Sequence, residues 1–162
     1  MNFTVVQRFD AAAQDIIEAY RRKATWASFD SLPFVGTPVL EGFEDIEPVR
    51  VEASYRVSLE LPSAARPFID PARLTFVEIS ELAHDGEGRF HIVPHHYSDL
   101  IRSAGTTVVT PDGDGRCVRR VEGVVDVSLG WRGMLFEPQV EQAIIGGLEQ
   151  ALLAQAGQVP VT

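Results

Sequence analysis

The chain has 162 residues, 45% of them hydrophobic and 23% charged, which is enough to build a core without a disulfide or a metal. Its 14 basic residues stand against 23 acidic ones, a net charge of −9 that argues against nucleic-acid binding and against docking on anionic membrane surfaces. The lone cysteine, Cys117, forms no intrachain disulfide and fits a reducing compartment.

Residues 1–8 lack the pattern of a secretory leader, and no window reaches the ~18 apolar residues of a membrane span, so a cytoplasmic location is expected. Residues 3–9 alternate and predict a first strand. Asp10 is placed to cap a helix over 11–22, where Ile16, Ile17 and Tyr20 recur at helical spacing. Arg21, Arg22 and Lys23 suit the negative end of that helix. Residues 24–31, with Trp26 and Phe29, read as a second short helix. Prolines 33, 38 and 48 bracket an irregular strand over 37–45, and Pro38 argues for an edge or a strand start.

Residues 49–61 carry the clearest strand signal. Val49, Val51, Ala53, Tyr55, Val57, Leu59 and Leu61 share one face, while Arg50, Glu52, Ser54, Arg56, Ser58 and Glu60 share the other. Such alternation belongs to a sheet with one buried and one wet face. Further strands are predicted over 73–83, 89–94, 99–110 and 116–129. His84, Asp85, Gly86, Glu87 and Gly88 form one hairpin turn by composition, and Pro111, Asp112, Gly113, Asp114 and Gly115 form another.

The period then changes from 2 to 3.6. Val140, Ile144, Ile145, Leu148, Ala151 and Leu152 make one apolar stripe, with Glu141, Gln142, Glu149, Gln150 and Gln155 off it. Pro138 suits the first turn of this helix, and Gly157 suits its end. Its length of about 20 residues corresponds to roughly 30 Å. Gly146 and Gly147 cost about 1 kcal/mol each relative to Ala, and close approach to the sheet is the expected compensation.

Hairpin-linked strands with helices kept to the ends of the sequence predict an α+β fold. A curved antiparallel sheet of six or seven strands wraps the long C-terminal helix, which needs the 49–61 face as its cover. A helix laid across a curved sheet leaves a cavity. The order resembles the START-like, SRPBCC helix-grip superfamily. The resemblance rests on strand 3–10 leading into helix 11–20, and on Leu74, Thr75, Phe76, Val77 and Glu78 before the 84–88 turn. It rests most on the run Val121, Glu122, Gly123, Val124, Val125, Asp126 and Val127, followed by Gly133, Glu137 and the helix. Together these look like a branch of the superfamily described as a domain of unknown function, as one domain over 1–162. Pro138, inside the helix start, departs from the pattern and implies a later start or a kink there.

The candidate ligand-binding residues are Tyr55, Glu78, Arg119, Val140, Ile144 and Leu148. Arg119 shares the parity of Cys117, Val121 and Val125, so its guanidinium points inward and needs a partner, either a ligand carboxylate or an acid of the sheet such as Glu78. Tyr55 lies on the apolar face and either orients a ligand or bonds a core neighbour. Glu78 lies with Leu74, Phe76 and Leu82. If that face is inward, Glu78 is a cavity acid with a raised pKa. His84, His91, His95 and His96 are either a solvated group or, less simply, a metal site. Cys117 reads as a core hydrophobe. No nucleophile arrangement, phosphate loop or nucleotide fingerprint occurs, so neither cofactor nor metal is expected.

The reading is therefore a carrier or sensor of an apolar small molecule (a lipid, isoprenoid or polyketide-like compound), for which the superfamily resemblance adds an analogy. A cyclase, dehydratase or hydrolase of the same superfamily is the alternative, with Glu78, Arg119, Tyr55 and His91 as its acid–base candidates. A protein-partner module is the third. Oligomeric state is left open.

Overall fold

A computed structural model describes residues 1–161. Seven strands form one antiparallel sheet in the order β1-β7-β6-β5-β4-β3-β2: β1 (Asn2–Phe9), β2 (Val39–Glu44), β3 (Val49–Arg56), β4 (Thr75–Leu82), β5 (Glu87–Pro94), β6 (Ile101–Pro111) and β7 (Cys117–Val127). Two short helices, α1 (Ala13–Tyr20) and α2 (Lys23–Ser28), follow β1. After β7 come a single turn, α3 (Gly130–Gly133), a 3-10 turn over Met134–Phe136, and the long helix α4 (Glu137–Ala156). This is an α+β helix-grip architecture, with the helices on the concave face of a curved sheet.

The two glycine-rich turns are hairpins. Gly86, Gly113 and Gly115 adopt positive φ there, as tight reversals require. Strand β2 is an edge, and Pro38 precedes its first residue. Pro138 lies in the first turn of α4, which begins one residue before it, so the proline opens the helix and no kink is needed.

Several expectations are corrected. Asp10 does not cap α1. The helix starts at Ala13, with Ala12 at the capping position and no side-chain cap. The ladder of β3 ends at Arg56, five residues before its alternation does. Past that point Val57 N–H donates to Leu74 O and Ser58 N–H to Phe34 O, while Leu61 still turns inward and is buried. Alternation records burial of one face, which outlasts strand pairing here.

The partner of α4 also differs from expectation. The helix packs on β1 and β7, at one end of the sheet, rather than over β3. The inner face of β3 (Val49, Val51, Ala53 and Tyr55) belongs to a core shared with Ile16, Ile17 and Tyr20 of α1, Trp26 of α2 and Phe29. A second core gathers Phe3, Val5, Val121, Val125 and Val127 under Val140 of α4. The helix start is tied down by its own acids: Leu129 N–H donates to Glu137 Oε1 (2.7 Å) and Val127 N–H to Glu141 Oε1 (3.1 Å). Because α4 leans to the β1–β7 side, the space between it and β4–β6 is left unfilled.

Neither mid-helix glycine approaches the sheet. A β-carbon on Gly146 would meet open space. One on Gly147 would fall 2.1 Å from Cδ2 of Phe34, in the loop before β2. Two other glycines do serve the sheet. Phe90, Gly105, Gly123 and Phe3 lie side by side across β5, β6, β7 and β1. A β-carbon on Gly105 would sit 2.7 Å from the Phe90 ring, and one on Gly123 would sit 2.8 Å from the Phe3 ring. The glycine pair leaves room for these two rings, whose centroids are 6.5 Å apart.

Candidate functional site

Two small cavities occupy the space between α4 and the middle of the sheet. The outer one, about 60 Å³, is walled by Phe34, Val57 and Leu59 from the loops, by Phe76 and Ile92 from β4 and β5, and by Ile144 and Leu148 from α4. The inner one, about 50 Å³, reaches under α4 towards β1 and β7, with Phe3, Phe90, Val121 and Leu152 in its wall. Phe76, Ile92, Ser103 and Leu148 line both, so the two are lobes meeting at a waist. The outer lobe is almost wholly apolar. The inner lobe adds two polar side chains, Glu78 and Arg119, to the shared Ser103.

The strand registers account for this polar end. Phe76, Glu78 and Ser80 pair with Tyr55, Ala53 and Val51 of β3, whose side chains are inward, so Glu78 faces the interior. It is deep in the molecule, and the surface it keeps faces the inner lobe. Burial pushes its carboxyl above the ordinary value. The hydroxyl of Ser80, donating at 2.5 Å, and the positive charge of Arg119 work in the other direction. Tyr55 stands behind it, stacked on Phe76 at 5.2 Å, with its phenol turned to Glu78. Burial, reinforced by the charge of Glu78, raises that phenol well above its usual range.

Arg119 comes from near the start of β7, opposite Gln7 of β1. Its guanidinium lies over the Tyr20 ring at 4.3 Å, and Nη1 donates to Gln7 Oε1 at 2.7 Å. Gln7 Nε2 in turn donates to Leu152 O of α4, and Tyr20 donates its hydroxyl to Gln155 Oε1 at 3.2 Å. Gln155, which the apolar pattern set outside the stripe, is therefore buried, because the Tyr20 hydroxyl gives it a partner. Arg119 Nε is buried without a partner, and so is Ser103 Oγ at the waist. The two residues are only 7% and 9% exposed.

The structure thus brings Glu78, Arg119, Ile144 and Leu148 to the cavity walls. Ile144 and Leu148 stay half-buried although they lie on the inward side of α4, because what they face is void. Tyr55 supports Glu78 from behind the wall, and Val140 is packed into the second core, away from both lobes. The histidines do not cluster, and of them His96 alone lines the outer lobe. His84 bonds Glu47, His95 bonds Thr75 and His96 bonds Arg73, while His91 points to the outer face. Among the described residues no three metal-binding side chains converge. Cys117 is in the core, where burial raises its thiol pKa.

Four contributors were not singled out in the sequence. Gln7 and Ser103 occupy inward positions of their strands, so a polar residue at apolar parity was the available signal. Ser80 has the parity of Glu78. Phe34 had no periodic signal, since it sits in a loop at a φ of 71°.

No family model matches the sequence, and no curated protein matches it. Solved structures do match over nearly the whole chain. A protein from Thermus thermophilus is 14% identical with a TM-score of 0.69, over 98% of this chain and 97% of that one. An aromatase/cyclase from Streptomyces sp. R1128 is 11% identical with a TM-score of 0.62, over 98% and 90%. Norcoclaurine synthase from Thalictrum flavum is 15% identical with a TM-score of 0.57, over 95% and 84%. The chain shares the helix-grip fold of these structures, and at these identities the likeness is one of fold.

Proposed function

We propose that the chain binds an apolar small molecule between its sheet and α4, acting as a single cytoplasmic domain over residues 1–162. The observation that carries this is the two-lobed cavity, apolar outside and polar at its inner end, a division suited to holding a molecule in one orientation. The lobes are small. An enclosed apolar cavity of ~150 Å³ takes up benzene, and each lobe, at about 60 and 50 Å³, falls below that. Uptake of a larger molecule therefore requires the wall to move. Phe34 is the movable part, because it belongs to a loop and rests on a residue without a side chain.

Native mass spectrometry of protein freshly purified from its own host tests the reading, together with titration of an apolar fluorescent probe. A bound apolar molecule is expected, as is loss of probe binding when Ile144→Phe or Leu148→Phe fills the wall. A protein that arrives empty and takes up no probe would sink the proposal.

A second reading has its own observation. Glu78, with its raised pKa, sits beside Tyr55 and in the field of Arg119, within the lobe where a substrate would end. A buried carboxyl whose pKa is raised is suited to act as a general acid in chemistry of the cyclase or dehydratase type. The names of two neighbours in fold, an aromatase/cyclase and norcoclaurine synthase, lean the same way. Turnover lost in Glu78→Gln with probe binding intact would favour this reading over simple carriage.

A further inference from the structure

The inner lobe contains an unanswered charge. Arg119 brings a guanidinium charge into the interior, and taking a charge out of water costs heavily unless it is paired. Its partners here are neutral: the amide oxygen of Gln7 and the face of Tyr20. Among the described residues no carboxylate pairs with it. Its Nε–H is buried with no acceptor, in a residue that lines the lobe. Ser103 Oγ, at the waist, is likewise buried and unpartnered. Two buried polar atoms without partners in one small cavity are the mark of groups that a ligand satisfies.

We infer that the inner lobe receives the carboxylate end of an apolar acid, with Arg119 Nε as its donor and Ser103 Oγ meeting an oxygen further along the same molecule. This deepens the ligand-binding reading and rests on it. A monoanion is the matching charge, since one guanidinium neutralises one carboxylate, whereas a dianionic phosphate would leave net negative charge buried. Glu78 does not compete for the role. Its carboxyl already accepts from Ser80, and burial raises its pKa, which lessens its repulsion of a ligand carboxylate. The rest of the molecule lies through the waist against Phe76, Ile92 and Leu148.

The test is a comparison of isosteres on the whole protein by calorimetry: 3-phenylpropanoate, 3-phenylpropan-1-ol and 3-hydroxy-3-phenylpropanoate. The acid is expected to bind about tenfold or more tightly than the alcohol, the margin of a charge-assisted hydrogen bond over a neutral one. Arg119→Gln should bring the two within about twofold, because its amide holds no charge. The hydroxy acid should gain a further factor of about three that Ser103→Ala removes.

Equal binding of acid and alcohol to the unaltered protein would overturn the inference and leave the apolar-ligand reading standing. Preference for the acid that persists in Arg119→Gln would overturn the assignment to Arg119. A hydroxy acid that binds no better than the plain acid would remove Ser103 from it. Failure of all three to bind would count against both readings.

Discussion

The Phe34 ring lies on the bare backbone of Gly147, so close that a β-carbon there would stand 2.1 Å from Cδ2 of the ring. This contact joins the loop before β2 to the middle of α4 and closes the outer lobe. Gly147→Ala is expected to push the ring off the helix and to lower stability by about 1–3 kcal/mol, as overpacking does. Exchange of an apolar probe should become faster. The neighbouring Gly146→Ala meets open space and should raise stability by about 0.5–1 kcal/mol through helix propensity. Urea denaturation and stopped-flow probe release measure both. Equal effects of the two substitutions would refute the contact.

Stability should depend on pH through Glu78. Its pKa in the folded chain lies above the ordinary 4.5, for burial foremost, so the folded state holds this proton more tightly than the unfolded one. The resulting stability is present below the ordinary value and is lost as pH rises through the raised folded value. Arg119, Tyr55 and Ser80 are the groups facing it. Glu78→Gln removes the titration. The variant's stability relative to the parent should therefore climb as pH rises above the ordinary carboxyl value and level off once pH passes the raised folded value, and urea midpoints measured at rising pH read it. A difference that stays flat with pH would contradict the burial of this carboxyl.

Ser103→Ala removes a buried hydroxyl that has no partner. In the empty protein the change should be neutral or stabilising by up to about 1 kcal/mol, because no hydrogen bond is lost and a desolvated group disappears. Thermal unfolding without ligand measures this. A loss of more than about 1 kcal/mol would show that the hydroxyl is satisfied after all.

Tyr20→Phe separates the polar and aromatic parts of that side chain. The ring under Arg119 is kept, while Gln155 loses its donor deep in the core. A cost of about 1–3 kcal/mol is expected from the stranded amide oxygen. Tyr20→Phe paired with Gln155→Leu should recover part of it, because two apolar groups replace two polar ones. A double-mutant cycle gives the coupling.

Most of the strand plan was readable because burial of one face leaves a period of two in the chain. The same signal misled at residues 57–61, where inward Val57, Leu59 and Leu61 continue a pattern with no strand beside them. The stripe on α4 was readable, but the surface it meets was not. Periodicity states which side of a helix is apolar, not which strands lie beneath it, and α4 settled on β1 and β7. At the site, Arg119 was legible from parity alone, whereas Glu78 had two possible faces until the register with Ala53 chose one. Phe34 and Ser103 depend on contacts between segments far apart in sequence, Phe34 with Gly147 and Ser103 with the walls contributed by α4. Local pattern cannot express such contacts.

The paired glycines at 105 and 123 matter beyond the sheet they belong to. By leaving their positions bare they make room for Phe3 and Phe90, and those two rings are part of the inner lobe's wall. The depth of the site is thus governed by two removable rings resting on a backbone that need not change. A lineage of such proteins could lengthen or shorten the molecule it accepts by exchanging Phe3 or Phe90 for smaller or larger apolar residues. The charge chemistry at Arg119 would stay where it is.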